Sequence, residues 1–136
     1  YAYVNDEGGT KNTRVHRRTA TNWVLEKQLP PGGSVAMRDD LLVMQTNPAP
    51  SWSNPEIRVY QRTGTDWTLI ATPLLPPSGV YPVALDEEHS IAVGAPNDSS
   101  AGANAGAVHV FRRDGNQWLP WAKIDSPLPP QTNSFG

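Results

Sequence analysis

Acidic residues gather at two turn-like places in the sequence, Asp39-Asp40 and Asp86-Glu87-Glu88. Two carboxylates that face each other across a sugar are what glycoside hydrolysis requires. Both clusters, however, stand at corresponding places in a tandem repeat, and turns favour acidic residues whatever the function. A catalytic pair is expected to break such a repeat, so we assign these acids a structural role.

The other candidates for catalysis lack the spacing that their chemistry requires. His16, His89 and His109 show no spacing typical of metal ligands. The chain has no cysteine, which removes thiolate nucleophiles and thiolate zinc sites. It contains no Gly-x-Ser-x-Gly elbow and no phosphate-binding glycine loop. We therefore predict that the protein is not an enzyme.

A tandem repeat organises the chain. Three segments read alike: VHRRTATNW at 15–23, VYQRTGTDW at 59–67 and VFRRDGNQW at 110–118. In each, a tryptophan follows a valine by eight residues, and the tryptophans are 44 and 51 residues apart. Each segment then runs into Leu-Pro-Pro, at 29–31, 75–77 and 128–130. Matches at such correlated offsets indicate three units of similar fold.

Within a unit, the signals are those of strands and turns. Short apolar runs such as 41–44 and 91–93 follow the acidic turns, and the alternating run 57–60 leads to a glycine-containing turn. No window shows sustained helical periodicity. Four antiparallel strands in 44 to 51 residues match the size of a β-propeller blade. We predict an all-β fold, a partial β-propeller of about three four-stranded antiparallel blades.

The third unit resembles an FG-GAP repeat, the unit of the integrin α-subunit propeller and of many secreted proteins. Gly94-Ala95-Pro96 is similar to the GAP signature, and Ser134-Phe135-Gly136 is similar to the FG that opens a following unit. The second unit keeps only the framework, with Gln45-Thr46-Asn47-Pro48 where GAP would stand. The resemblance implies an extracellular or cell-surface location and a part in a larger or oligomeric propeller.

The repeat also predicts the domain organisation. An incomplete first blade (strands two to four) occupies 1–33, and the others follow at 34–79 (second blade), 80–133 (third blade) and 134–136 (start of a further repeat). Rings close with roughly four to eight blades, so three blades leave open edges that invite pairing with another chain. We expect further blades of the same protein, or other protein chains, as partners.

Calcium is the cofactor that the resemblance brings into question. Integrin-type units carry an Asp/Asn-rich cage between their first two strands, and such a cage needs several alternating oxygen ligands and a glycine. The corresponding turns here, Arg38-Asp39-Asp40 and Asp86 to His89, have neither. We predict no cofactor and no metal site, and calcium is kept as an alternative whose usual loop motif is absent.

The repeated tryptophans and the residues outside the repeat lead to different predictions. Trp23, Trp67 and Trp118 recur with the framework, so we expect them to pack between neighbouring blades. Features that do not repeat are better candidates for contact with a ligand or partner.

Two loops hold such features. The proline-rich loop 46–55 contains Trp52 and Asn54. An exposed Trp52 would suit sugar stacking or protein contact, whereas the alternative is that it folds back over its own blade. The second loop offers Asn97 and Asp98, and the triplet that begins at Asn97 matches the acceptor pattern for N-glycosylation.

The charge balance argues against two classes of partner. Lys plus Arg is 11 and Asp plus Glu is 13, a formal net charge of −2. Basic pairs recur at Arg17-Arg18 and Arg112-Arg113, but no basic stripe extends them, which argues against nucleic acid. No apolar run is long enough to span a bilayer, so we predict no membrane insertion.

These patterns predict a non-enzymatic extracellular β-propeller module for adhesion, recognition or structural scaffolding, with glycans among its candidate ligands. Two alternatives stay open. One is a fragment of a carbohydrate-active propeller enzyme, and the other is an architectural subunit of a filament or cell-surface coat.

Overall fold

The computed structural model describes residues 2–5, 12–46, 56–73 and 82–127. These residues form eleven strands, all antiparallel, and the prediction of an all-β fold is confirmed. Within the described ranges, no helix has the length and apolarity needed to cross a membrane.

The strands make three separate sheets, and each sheet is a meander of consecutive strands. The first sheet consists of β1 (Ala2–Asn5), β2 (Thr13–Arg18) and β3 (Trp23–Leu29). The second sheet consists of β4 (Gly32–Arg38), β5 (Leu41–Thr46), β6 (Glu56–Thr63) and β7 (Asp66–Ala71). The third sheet consists of β8 (Val83–Leu85), β9 (Ile91–Ala95), β10 (Ala107–Asp114) and β11 (Gln117–Asp125). In the described part of the chain, none of the three sheets closes on itself.

The last hairpin of the second and third sheets turns on a glycine. Thr63 pairs with Asp66 and Asp114 pairs with Gln117, which leaves a loop of two residues in each hairpin. Gly64 and Gly115 occupy the first loop position, with φ of 65° and 60°. A positive φ at that position is typical of the type II′ turn, whose twist suits a tight hairpin.

A β-bulge recurs at the same place in all three sheets. The register shifts between Val15 and His16, between Val59 and Tyr60, and between Val110 and Phe111. In each case the extra residue lies on the last strand, three residues after the repeated tryptophan. These bulge residues are Glu26, Ile70 and Trp121. A bulge bends its strand and re-aims a side chain, so the repeat extends to a backbone irregularity that the sequence did not reveal.

Two apolar clusters join the sheets face to face. The first cluster joins the first and second sheets through Val15, Leu29, Val35, Leu42, Met44, Tyr60 and Trp67. The second cluster joins the second and third sheets through Leu41, Val43, Ile57, Val59, Ile91, Val93, Ala95, Phe111 and Trp118. All six residues of β5 are buried, because the second sheet is covered on both faces.

The stack has a direction. We call the face that carries Trp67 in the second sheet, and Trp118 in the third, the leading face; each contacts the preceding sheet. We call the opposite face the trailing face; it carries Val15 in the first sheet and Val59 in the second, and each contacts the following sheet. Both junctions therefore join a trailing face to a leading face.

The second and third sheets are closest at their first strands and separate toward their last ones. Strand β8 lies against β4 and β5, whereas β7 and β11 make few contacts with each other. The Val83 amide donates a hydrogen bond to Ser34 Oγ at 3.0 Å across the close side. The second and third sheets are thus arranged as a wedge.

One boundary differs from the sequence-based prediction. Strand β4 begins at Gly32 and not at 34, so Gly32 and Gly33 belong to the second sheet. A Cβ on Gly32 would lie 2.2 Å from Met44 Cε, and one on Gly33 would lie 2.3 Å from Gln45 Oε1. The glycines allow β4 and β5 to approach closely here.

Candidate functional site

The loop between β9 and β10 is organised around Asp98. Its Oδ1 accepts hydrogen bonds from the Ser100 amide at 2.9 Å and from Ser100 Oγ at 2.5 Å. His109 Nε2 lies 3.1 Å from Asp98 Oδ2, and Lys123 Nζ lies 3.7 Å from Oδ1. Asp98 itself is only 9% exposed. The side chain predicted to contact a partner is therefore turned inward and engaged within its own sheet.

Hydrogen bonds and neighbouring cations stabilise the charged form of Asp98. Hydrogen bonds from Ser100 lower the pKa of Asp98 to about 2 against the effect of burial, and His109 and Lys123 lower it further. The pKa of Lys123 is raised, chiefly by the hydrogen bond to Asp125 at 2.5 Å. Lys123 Nζ also donates a hydrogen bond to Ser100 Oγ. The carboxylate, the hydroxyl, the imidazole and the ammonium group therefore form one hydrogen-bonded cluster that orders the loop.

Asn97, the neighbour of Asp98, is exposed in a turn. Ser99, the third residue of the glycosylation triplet, donates its hydroxyl to the Asn97 carbonyl at 3.4 Å and accepts the Asn104 amide at 3.0 Å. The position of Asn97 at the surface is compatible with a modified side chain. Trp52 and Asn54, the other predicted contact residues, lie outside the described residues.

The three repeated tryptophans occupy unequal environments. Trp67 lies in the cluster between the first and second sheets, and Trp118 lies in the cluster between the second and third. The Trp118 indole Nε1 also donates to the His89 carbonyl oxygen at 2.8 Å. Trp23, expected between blades like the others, is 47% exposed. It lies on the leading face of the first sheet, and no described sheet precedes that face.

The acidic turns connect neighbouring sheets. Arg38 of the second sheet pairs with Glu87 of the third at 2.7 Å, and His89 Nε2 lies 3.8 Å from Asp39 Oδ2. Asp40 Oδ2 accepts a hydrogen bond from Gln61 at 3.0 Å. Within the described ranges, no three His, Asp or Glu side chains gather where they could hold a metal ion. Glu87, Asp39 and Asp40 therefore face protein groups of their own sheet or of the neighbouring one.

The outer rim of the first junction is closed by ion pairs. Glu26, the bulge residue of the first sheet, pairs with Arg62 at 2.6 Å and lies 3.6 Å from Arg17. The hydrogen bond from Arg62 is the largest cause of the lowered pKa of Glu26, and the Trp67 indole N–H contributes. Lys27 reaches Asp66 across the same rim at 2.5 Å.

As the described residues form it, the outer rim of the second junction holds a groove in place of ion pairs. A groove of about 320 Å³ lies between β7 and β11, and it is lined by uncharged residues: Ile70, Ala71, Thr72, Pro73, Asn116, Gln117, Trp118, Leu119 and Pro120. Ile70 stands where the first rim has Glu26, Ala71 where it has Lys27, and Gln117 where it has Asp66. The second rim therefore lacks the residues that would form counterparts of the two ion pairs. At these positions the described units of the repeat differ in chemistry.

Comparison with known proteins adds no relative. No family model, curated protein or solved structure matches the chain.

Sequence reasoning missed the groove, although a signal was present. The position three residues after each repeated tryptophan holds an acid, an aliphatic residue and an aromatic residue in turn: Glu26, Ile70 and Trp121. Such a change of chemistry within a repeat marks a position that the framework does not fix. Only the bulge shows that this position projects from the trailing face.

Proposed function

We propose that this chain is a non-enzymatic recognition and scaffolding module of FG-GAP type, part of a β-propeller that works outside the cell. The observation that carries the proposal is the direction of the stack. The same junction of trailing face and leading face is made twice in succession, with Trp67 and Trp118 at equivalent positions. Propellers are built from small antiparallel sheets repeated around a centre, so this repeated junction supports the proposal.

The distribution of polar groups supports a binding role over a catalytic one. The acids of the turns and of the Asp98 loop are engaged with protein partners. The groove, in contrast, is uncharged, partly apolar and bordered by the amides of Asn116 and Gln117. Aromatic and proline walls with a few polar groups are typical of sites for sugars and for uncharged peptide segments.

The test combines a binding assay and a hydrolysis assay on one preparation. The ¹⁵N-labelled chain is titrated with a panel of neutral oligosaccharides and proline-containing peptides. Binding should shift the amides of Thr72, Gln117 and Leu119. Turnover of any oligosaccharide would overturn the non-enzymatic assignment and favour the fragment of a carbohydrate-active enzyme. Shifts confined to other parts of the sheets would remove the groove as the binding site.

The first rim supplies matched variants for this test. The double variant Ala71→Lys/Gln117→Asp recreates the Lys27–Asp66 pair at the second rim, and it should abolish the binding shifts without unfolding the chain. The converse variant Lys27→Ala/Asp66→Gln removes that pair from the first rim and should leave binding at the second rim unchanged.

A second role is favoured by a specific observation. The leading face of the first sheet and the trailing face of the third sheet both expose large apolar side chains, including Trp23 and Trp121. Exposed apolar surface of this kind marks an interaction site. It supports the proposal that the module also acts as an architectural subunit.

A further inference from the structure

The outer face of the third sheet is a trailing face that no described sheet covers. Val108 and Val110 lie on it, because strand alternation places them opposite the buried Phe111. Ile124, which pairs with Val108 across the strands, shares that face. Trp121 and Ile124 are 57% and 51% exposed. In the first two sheets the positions equivalent to Val110, Val15 and Val59, are fully buried by the following sheet.

The outer face of the first sheet corresponds to the other side of such a junction. It is a leading face, and it carries Trp23 with its cross-strand neighbour Arg18, as well as Leu25. The equivalent tryptophans, Trp67 and Trp118, are buried by a preceding sheet. The described stack of sheets therefore presents the trailing half of its own repeated junction on one outer face and the leading half on the other.

The residues at the rims of the two end faces also correspond to those of the first junction. At the first junction, Glu26 lies between Arg17 of its own sheet and Arg62 of the next. At the end of the third sheet, Trp121 takes the position of Glu26, and the Arg112 guanidinium carbon already lies 3.7 Å from the centre of its ring. The equivalent of Arg62 on the free leading face is Arg18. Because the face of an indole ring is electronegative and attracts guanidinium groups, Trp121 can take the place of the carboxylate between two arginines.

We propose that the trailing face of the third sheet docks on the leading face of the first sheet of a second copy of this chain. This proposal rests on the architectural role proposed above. Trp121 then contacts Trp23 and Arg18 of the other copy, as Glu26 contacts Trp67 and Arg62 within one copy. Such a contact is heterologous, so it closes into a ring or continues as a chain of subunits. Two copies bring about six sheets together, within the roughly four to eight that close a ring.

The test is a mixing experiment with two variants, each of which damages one end face. Trp23→Ser removes the leading-face anchor, and Trp121→Lys sets a third cation between Arg112 and Arg18. Both residues are half exposed, so the fold should survive, which circular dichroism and the melting temperature check. In analytical ultracentrifugation, up to about 1 mM, the unchanged chain should associate and each variant alone should sediment as a monomer. An equimolar mixture should form a one-to-one dimer, because each variant keeps the end face that is damaged in the other.

Two further variants sharpen the result. Trp121→Glu places a carboxylate where the first sheet has Glu26. The dissociation constant of this variant should stay within about tenfold of that of the unchanged chain, because a carboxylate between two arginines replaces the ring. Leu69→Ser changes a side chain that is 45% exposed on the second sheet, away from both end faces, and it should leave association intact.

Three outcomes would overturn the proposal. The unchanged chain could stay monomeric throughout the concentration range, which would assign the end faces to another occupant. Trp23→Ser alone could dimerise as well as the unchanged chain, which would indicate pairing of two identical faces. The mixture could stay monomeric while the unchanged chain associates through another surface. Each outcome leaves the ligand titration of the groove unaffected, so failure here is distinguishable from failure of the proposed recognition function.

Discussion

The Glu26 carboxylate and the Arg62 guanidinium join two sheets at 2.6 Å, and the Glu26 side chain is only 5% exposed. They come from positions 36 residues apart in the sequence. The pair lies at the outer rim of the first junction, beside Trp67 of the apolar cluster that joins the two sheets.

Removal of Arg62 should destabilise the protein more than removal of an exposed cation. Arg62→Ala leaves a nearly buried carboxylate with less compensation, and the free energy of unfolding should fall by about 2–3 kcal/mol. Lys27→Ala breaks an exposed pair and should cost no more than about 1 kcal/mol. Urea unfolding at neutral pH measures both. Equal losses in the two variants would show that the Glu26–Arg62 pair contributes no more than a surface ion pair.

Stability should fall in acid because of Asp98. Its pKa is lowered from 3.8 to about 2 in the folded protein, so the unfolded chain takes up a proton first as the pH falls. The stabilisation is therefore complete above about pH 5 and is lost as the pH falls through about 2. Unfolding free energies followed across this interval should show the loss.

Asp98→Asn tests the origin of that acid dependence. The variant should lower the free energy of unfolding near neutral pH by about 1–2 kcal/mol, because the charge-assisted hydrogen bonds weaken. It should also reduce the further loss of stability at low pH. Asp114→Asn, at an exposed position, serves as the control and should leave the loss of stability at low pH unchanged. If Asp98→Asn lost as much stability in acid as the unchanged chain, the acid dependence would come from other carboxyl groups.

The repeated tryptophans should contribute unequally to stability. Trp118→Ala empties a site between two sheets and should cost about 3–5 kcal/mol. Trp23→Ala changes a half-exposed side chain and should cost less than about 1 kcal/mol when the chain is monomeric. Thermal unfolding in dilute solution measures both. A large loss in Trp23→Ala with no change of association state would show that the first sheet depends on Trp23 internally.

The hairpin glycines give a purely conformational prediction. An added Cβ on Gly64 or Gly115 meets nothing within 4 Å, but both residues have positive φ. Gly115→Ala should therefore lower stability by about 1 kcal/mol, through backbone strain and not through a clash. Gly115→Asn should cost less, because Asn tolerates the left-handed region. Melting curves of the two variants, compared with the unchanged chain, check the order.

Much of the fold follows from local patterns in the sequence. Apolar runs such as Leu41 to Met44, glycine turns and the recurrence of tryptophan after valine predict the strands and the division into three sheets. Trp23 shows the limit of such reasoning. Its local sequence matches that of Trp67, but its burial depends on whether another sheet lies against it, and no local pattern encodes that.

The candidate site was harder to predict for the same reason. The partners of Asp98, His109 and Lys123, come 11 and 25 positions later in the sequence. Only the pairing of β9, β10 and β11 brings the three side chains together. The groove depends on a bulge whose residues, Glu26, Ile70 and Trp121, have nothing chemical in common. The sequence marks that position as variable without showing where it points.

The double coverage of β5 has a consequence for how the molecule opens. The amide protons of a strand that is covered on both faces exchange with solvent only after at least one neighbouring sheet has separated from it. Deuterium uptake should therefore be slowest from Leu41 to Thr46 and faster in β3 and β11, the last strands of the outer sheets. Unfolding would then proceed from the ends of the stack inward, and the central layer would be the last to lose its order.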